Sequence, residues 1–358
     1  TRKAVKKFIM FRRKKREINE NVFKTNIDIF ISLVPIFLAS FIYTLQPLIT
    51  IITSTIGAEV VELIYLKLYR KQNISERKDT FSSTAIGVLT GLILPPFVPF
   101  YVALFAGAMA VVFGKNVYGD IDKKIFNPVV LGKLFVVTFF SKFLIPESPV
   151  WGFDGALTIP IDNSSKIMSL FITSRGMIGS LSVLAIVIGA IYLIFRQRIT
   201  WHIPVAFFIT IFIGLNLAAN NGILVSTSLG EFLFFGVFVM TDKFTSPEHS
   251  FGKIFFGVML GISTIAFWFL GVQSEAIIYS ILILNIFTRG INIIYKPNVF
   301  GNETVSIAEI IQGLGFAILI MILVFVFAFL HNNGFIPYLV YIYLVFGVWK
   351  LYNQNNED

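Results

Sequence analysis

Long apolar runs separated by short polar stretches repeat along the whole chain. A helical crossing of a bilayer needs about 20 apolar residues. Runs of that kind fall near 27–45, 47–66, 97–114, 127–145, 177–195, 201–219, 253–271, 275–294, 306–330 and 335–352. Two further runs, 83–95 and 229–241, are too short for an ordinary crossing. The pattern predicts an all-α, polytopic membrane protein.

The two short runs carry the most information. Residues 84–100 read TAIGVLTGLILPPFVPF, and Pro95, Pro96 and Pro99 remove backbone donors and block helix continuation. Residues 228–247 read SLGEFLFFGVFVMTDKFTSP, with two glycines, then polar residues at membrane depth, then Pro247. Both read as half-helices that end in a break. A break survives in a membrane only where protein or water answers the freed backbone groups. Interrupted segments at matching places in two halves predict two inverted five-helix repeats with a site between them. Two additional helices follow at the C-terminal end. A Phe-Gly-Lys triplet follows each break, at 113–115 and 251–253.

Charge supplies an orientation. Of the 358 residues 56% are hydrophobic and only 14% charged, and the net charge is +9. Soluble domains carry about 25% charged residues; lipid is the solvent that suits this surface. Basic residues crowd the first 26 positions, which read as a cytosolic tail. The loop holding Lys67, Arg70, Lys71, Arg77 and Lys78 and the turn at Arg196 and Arg198 fall on the same side. The polar loop 146–175 falls outside. This Lys/Arg distribution predicts a multi-pass protein of the cytoplasmic membrane with both termini in the cytosol. Because an apolar span follows the basic run directly, the run reads as a topology signal beside anionic lipid, with no nucleic acid as partner. The organisation is then a tail at 1–26, a transmembrane domain at 27–301 and an added helical pair at 302–358.

There is no Cys, so disulfides, iron–sulfur ligation and thiol chemistry are excluded for this chain. His202, His249 and His331 are scattered and do not form a metal-binding spacing. Charged groups inside a bilayer are costly and mark candidate pathways. Asp242 stands at the second break beside Thr245 and Ser246. That oxygen-rich set suits a hard cation such as sodium, or the segment is a cytosolic loop in which Asp242 pairs with neighbouring Lys243 or caps the turn. Glu62, near a helix end, is either an ion-path carboxylate or a side chain reaching the interface. Glu231 opens the second short helix, where an acid either caps the free N–H groups or lines the path. Asn127 before Pro128 reads as a helix start.

Several stretches, taken in order, resemble the RnfD/NqrB family of membrane subunits from redox-driven sodium or proton pumps. They are TAIGVLTGLILPP at 84–96, GKNVYGDIDKKIFNP at 114–128, GMIGSLSVLAIVIGA at 176–190, MTDKFTSP at 240–247 and the segment ending KPNVFG at 301. The resemblance implies an FMN attached to a threonine in an outer loop. Here that loop reads Trp151-Gly152-Phe153-Asp154-Gly155-Ala156-Leu157-Thr158, with Leu157 at the acceptor place and Thr158 one position later. Leucine has no hydroxyl to form the phosphoester. The resemblance therefore points to FMN or riboflavin held noncovalently or carried by a partner subunit. Trp151, Thr158, Ser180, Ser182 and Asn127 are the candidate flavin contacts.

The implied function is that of a membrane subunit in a flavin-dependent electron-transfer complex, coupled to sodium or proton movement or to outward electron relay. Its expected partners are other membrane subunits of an Rnf/Nqr-like complex, including an FMN-carrying extracytosolic subunit. Two other classes stay open: a solute transporter resembling urea or ammonium channels, and a non-redox membrane scaffold.

Overall fold

The computed structural model describes residues 2–41, 45–69, 81–119, 121–144, 176–223, 225, 228–296 and 306–357. Among these residues the regular structure is helical throughout, without a strand. In chain order the helices are α1 (Arg2–Phe41), α2 (Gln46–Leu68), α3 (Ser82–Leu92), α4 (Phe100–Gly114), α5 (Pro128–Phe140), α6 (Val183–Phe195) and α7 (His202–Asn220). There follow α8 (Leu229–Phe234, continued as a π-helix over Phe235–Val239), α9 (Ser250–Phe269), α10 (Ala276–Ile294), α11 (Ile307–Asn332) and α12 (Ile336–Glu357). Among the described residues seven helices are long and apolar enough to cross a membrane, and α3, α6 and α8 are shorter apolar helices. The chain is a multi-pass membrane protein.

Helix α1 starts well inside the stretch expected to be a separate tail. Its basic segment is rich in Lys and Arg, which are good helix formers. No Gly or Pro interrupts it before Pro35, so one helix runs from Arg2 through the span. Capping fixes several other starts. Asn127 accepts from Val129 N ahead of α5, with Pro128 at the first helical position. Ser228 with Glu231, and Ser306 with Glu309, form reciprocal capping boxes on α8 and α11.

Packing follows the predicted repeat. Helix α2 packs on α4 and α3, and α4 on α5; in the second half α7 packs on α9, and α9 on α10. The two halves meet through α1 against α6 and through α5 against α10. Each half holds five helical elements in the same order. Close helix approach is built on small residues. A Cβ on Gly107 of α4 would collide with the Ser54 carbonyl oxygen of α2. Helices α11 and α12 pack on each other; α11 leans on α9 and α10, and α12 on α5 and the turn at Asn116–Tyr118.

Both predicted breaks are present, and their backbone groups are answered. Helix α3 stops at Leu92, and α4 begins only at Phe100. Across that gap Ile178 N donates to Leu94 O (2.9 Å) and Thr50 Oγ1 to Pro96 O (3.3 Å). The helical run of α8 ends at Val239, and α9 begins at Ser250. The Phe-Gly-Lys triplets do not mark equivalent places: 113–115 closes α4, whereas 251–253 opens α9.

Candidate functional site

The break after α8 is tied to the other repeat by a polar network. Asn127 Nδ2 donates to Val239 O (2.9 Å), the last carbonyl of the π-helical turn. With its amide oriented to satisfy both neighbours, Asn285 of α10 accepts from Asn127 N (2.9 Å) and donates to Thr245 O (3.0 Å). Thr288 Oγ1 donates to the same Thr245 carbonyl (2.9 Å). Asn127, Asn285, Thr245 and Thr288 are all buried. A buried network of this kind, with its members bonded, specifies one arrangement of the segments it joins.

Asp242 stands at the centre of the break. Its carboxylate accepts from Thr245 Oγ1 (2.7 Å) and forms an ion pair with Lys124 Nζ (2.8 Å). The lysine side chain is only 4% exposed and the carboxylate side chain 21%. The Asp242 carbonyl accepts from Thr245 N (3.1 Å), Ser246 N (3.0 Å) and Ser246 Oγ (2.8 Å), which rounds off the turn. Asp242 therefore does cap the turn. Its cation, however, is Lys124 from the other repeat, not the adjacent Lys243. Lys124 was not singled out by the sequence. Only the fold brings 124 and 242 together, and a lysine in a polar loop gives no local signal of burial.

Glu62 lies in a second charged pocket. Lys115 Nζ donates to Glu62 Oε1 (2.7 Å) and to Ser83 Oγ (2.8 Å), linking the ends of α2 and α4 to the start of α3. The buried Glu62 is thus neutralised by Lys115 rather than reaching for water, and its Oε2 has no hydrogen-bond partner among the described residues. Glu231 sits at the opposite end of α8 from Asp242. It accepts from Ser228 N (3.2 Å) in the capping box. The ion-path candidates therefore separate: Asp242, Thr245 and Ser246 gather, Glu62 joins Lys115, and Glu231 serves the start of α8.

The flavin candidates separate as well. Trp151 and Thr158 lie outside the described residues. Ser180 and Ser182 are buried; Ser180 Oγ donates to Met177 O (2.8 Å), and Ser182 Oγ caps α6 by accepting from Ala185 N (3.3 Å). Around them the packing is tight. A Cβ on Gly179 would lie 2.6 Å from the Phe234 ring, and one on Gly230 would collide with Ser180 O. A flavin ring needs an apolar slot with free hydrogen-bonding groups. Among the described residues at 176–182, Phe234 packs against Gly179, and the Ser180 and Ser182 hydroxyls bond to the backbone. Asn127 belongs with Asp242, one length of α8 away from Ser180: at about 1.5 Å per residue, Gly230 and Val239 are about 13 Å apart. The two breaks thus do not meet in a single cavity. The break after α3 lies beside the start of α8, through Leu94, Ile178 and Ser180. The break after α8 lies beside the 115–127 segment, whose Lys115 reaches the start of α3. The half-helices are antiparallel, each broken end answered by the other repeat.

Similarity to known proteins accords with this architecture. The chain is similar to a subunit of the ion-translocating oxidoreductase complex of Alcanivorax borkumensis, 26% identical over 302 residues, covering 72% of this chain and 85% of the relative. It is similar to a subunit of the Na(+)-translocating ferredoxin:NAD(+) oxidoreductase complex of Acetobacterium woodii, 26% identical over 292 residues, covering 76% of this chain and 89% of the relative. A third relative, from the ion-translocating oxidoreductase complex of Salmonella enteritidis, is 24% identical over 313 residues, covering 72% of this chain and 87% of the relative. The family model matches residues 16–301, which takes in both breaks and leaves α11 and α12 beyond it. By the extent of that match, the chain belongs to the NQR2, RnfD, RnfE family.

Proposed function

We propose that this chain is the membrane subunit of a redox-driven ion-translocating complex, and that the cation path passes the break at the end of α8. The observation that carries this reading is the Lys124–Asp242 pair: a carboxylate at an interrupted half-helix, neutralised by a lysine from the opposite repeat. The named function of the relatives, translocation coupled to oxidoreduction, gives the class of process. The lysine ammonium acts as a resident cation. When it withdraws, the Asp242 carboxylate, the Thr245 and Ser246 hydroxyls and the carbonyls of the break form an oxygen-rich place for a hard cation. Exchange between ammonium and ion keeps the partly buried carboxylate neutralised throughout, which avoids the penalty of a lone charge in a low-dielectric setting.

In this reading the electron carriers reside on partner subunits or at the 146–175 loop, because Leu157 stands where the family's flavin-bearing threonine is expected. The partners are the other subunits of such a complex, one of them carrying FMN outside the cytosol. The Lys/Arg distribution supports a cytoplasmic-membrane location with both ends in the cytosol.

The test is redox-driven sodium uptake by the assembled complex in proteoliposomes. Asp242→Asn lowers uptake by about tenfold or more, because the carboxylate charge facing the ion is lost. Lys124→Met changes the sodium concentration needed for half-maximal uptake, because the competing ammonium is gone. Sodium and proton movement unchanged in both variants contradicts this reading. Passive solute flux without any redox substrate turns it toward a channel.

A further inference from the structure

The last helix, which lies beyond the family match, reaches back to the loop that carries Lys124 and Asn127. Tyr343 Oη donates to Phe113 O (2.8 Å), a carbonyl in the last turn of α4, and bonds with Tyr118 Oη (3.1 Å). Gln354 Nε2 donates to Val117 O (2.7 Å), while its Oε1 accepts from Tyr65 Oη of α2 (3.2 Å). The Lys350 ammonium lies over the Tyr118 ring, 4.4 Å from its centre. The Tyr343 ring meets Phe126 edge-on at 5.7 Å, next in sequence to Asn127. On the same helix Gly347 lies against Phe113, where a Cβ would come within 2.6 Å of the ring.

We propose that α12 is an intramolecular clasp on the 113–127 segment, with Tyr343 and Gln354 as positioning residues that hold Lys124 and Asn127 against the break of α8. A loop at the end of a membrane helix leaves carbonyls without intrahelical donors. Here α12 answers those of Phe113 and Val117 from one rigid face. The contacts fall on both arms of the segment, before Gly119 and at Phe126, so they fix its course toward Asp242. The clasp stands on these contacts alone. Its consequence for ion movement rests on the function proposed above.

Amide hydrogen exchange of the full chain in nanodiscs tests it. The pair Tyr343→Phe with Gln354→Ala removes the hydrogen bonds and keeps the aromatic packing. Exchange across 113–127 is expected to rise by about tenfold or more, with peptides of α9 and α10 unaltered. Gln354→Glu is a second, milder variant. It keeps the acceptor for Tyr65 but faces Val117 O with a carboxylate, and it is expected to loosen the same peptides. Restoring Gln354 in the double variant should recover part of the protection. Exchange at 113–127 that stays at the parental level in both variants overturns the clasp. Loosened exchange supports it whatever the sodium assay returns, so failure of the ion reading stays distinguishable.

Discussion

Asp242→Asn is expected to destabilise the folded chain by about 3–5 kcal/mol, the usual consequence of leaving one partner of a buried ion pair without its counter-charge. Lys124 is the group left behind. Its side chain is 4% exposed, its ammonium lies 2.8 Å from the Asp242 carboxylate, and the Phe244 ring is another close neighbour, 5.6 Å from ammonium to ring centre. A ring face gives a cation about 0.5–2 kcal/mol, too little to replace a carboxylate. Lys124→Met alone removes the charge and keeps most of the apolar stem, and Asp242, at 21% exposure, recovers some hydration. The single lysine variant should therefore cost less than the single aspartate variant. The double variant Lys124→Met/Asp242→Asn should recover more than half of the Asp242→Asn loss. Denaturant titration of the four proteins in one detergent checks this, and additive losses would mean that the two charges are not coupled.

Asn127→Leu is the second large effect expected, about 2–6 kcal/mol. The volume is kept, but two buried backbone groups lose their partners: Val129 N at the start of α5 and Val239 O at the end of α8. Each unanswered buried group costs about 1–3 kcal/mol. Serine separates the two roles. It is as good a cap as asparagine, but it is too short to reach Val239 across the repeats. Asn127→Ser should therefore retain the cap contribution and lose only the inter-repeat bond, falling about midway between the parent and the leucine variant. Equal losses in both variants would show that capping is not part of what Asn127 contributes. The same titration that serves the ion pair reads this series.

Much of the fold was legible because membranes leave few choices. Apolar run length locates most spans, although the 127–145 and 177–195 runs form helices of only 13 residues, and Pro95, Pro96 and Pro99 all fall in the gap between Leu92 and Phe100 where α3 and α4 part. Glu231, expected to open the second short helix, does stand in the first turn of α8. The extent of α1 was not read, because basic residues near a terminus suggest a solvated tail even where each of them favours helix. The site was legible only in part. Asp242 was singled out for its place at a break, yet its partner Lys124 is brought there by tertiary folding, and a nearby lysine, Lys243, offered an easier local pairing. Ser180 and Ser182 stand in a stretch that resembles the family, but the sequence does not show that one donates to Met177 O and the other caps α6. Nothing local shows that Phe234 packs against Gly179 beside them. Long-range packing decides such cases, and no periodicity records it.

The interrupted end of α8 is held against the 115–127 segment of the opposite repeat through Asn127 and Lys124. The chain has no cysteine, so Lys124→Cys/Asp242→Cys can be treated with a short bis-thiosulfonate cross-linker without background. A protease site inserted between positions 146 and 175 then separates the two repeats on a denaturing gel. Linker-treated protein should stay at full length after cleavage and fall into two halves once the link is reduced. Two separate halves after treatment, with both cysteines shown to be reactive, would contradict that arrangement.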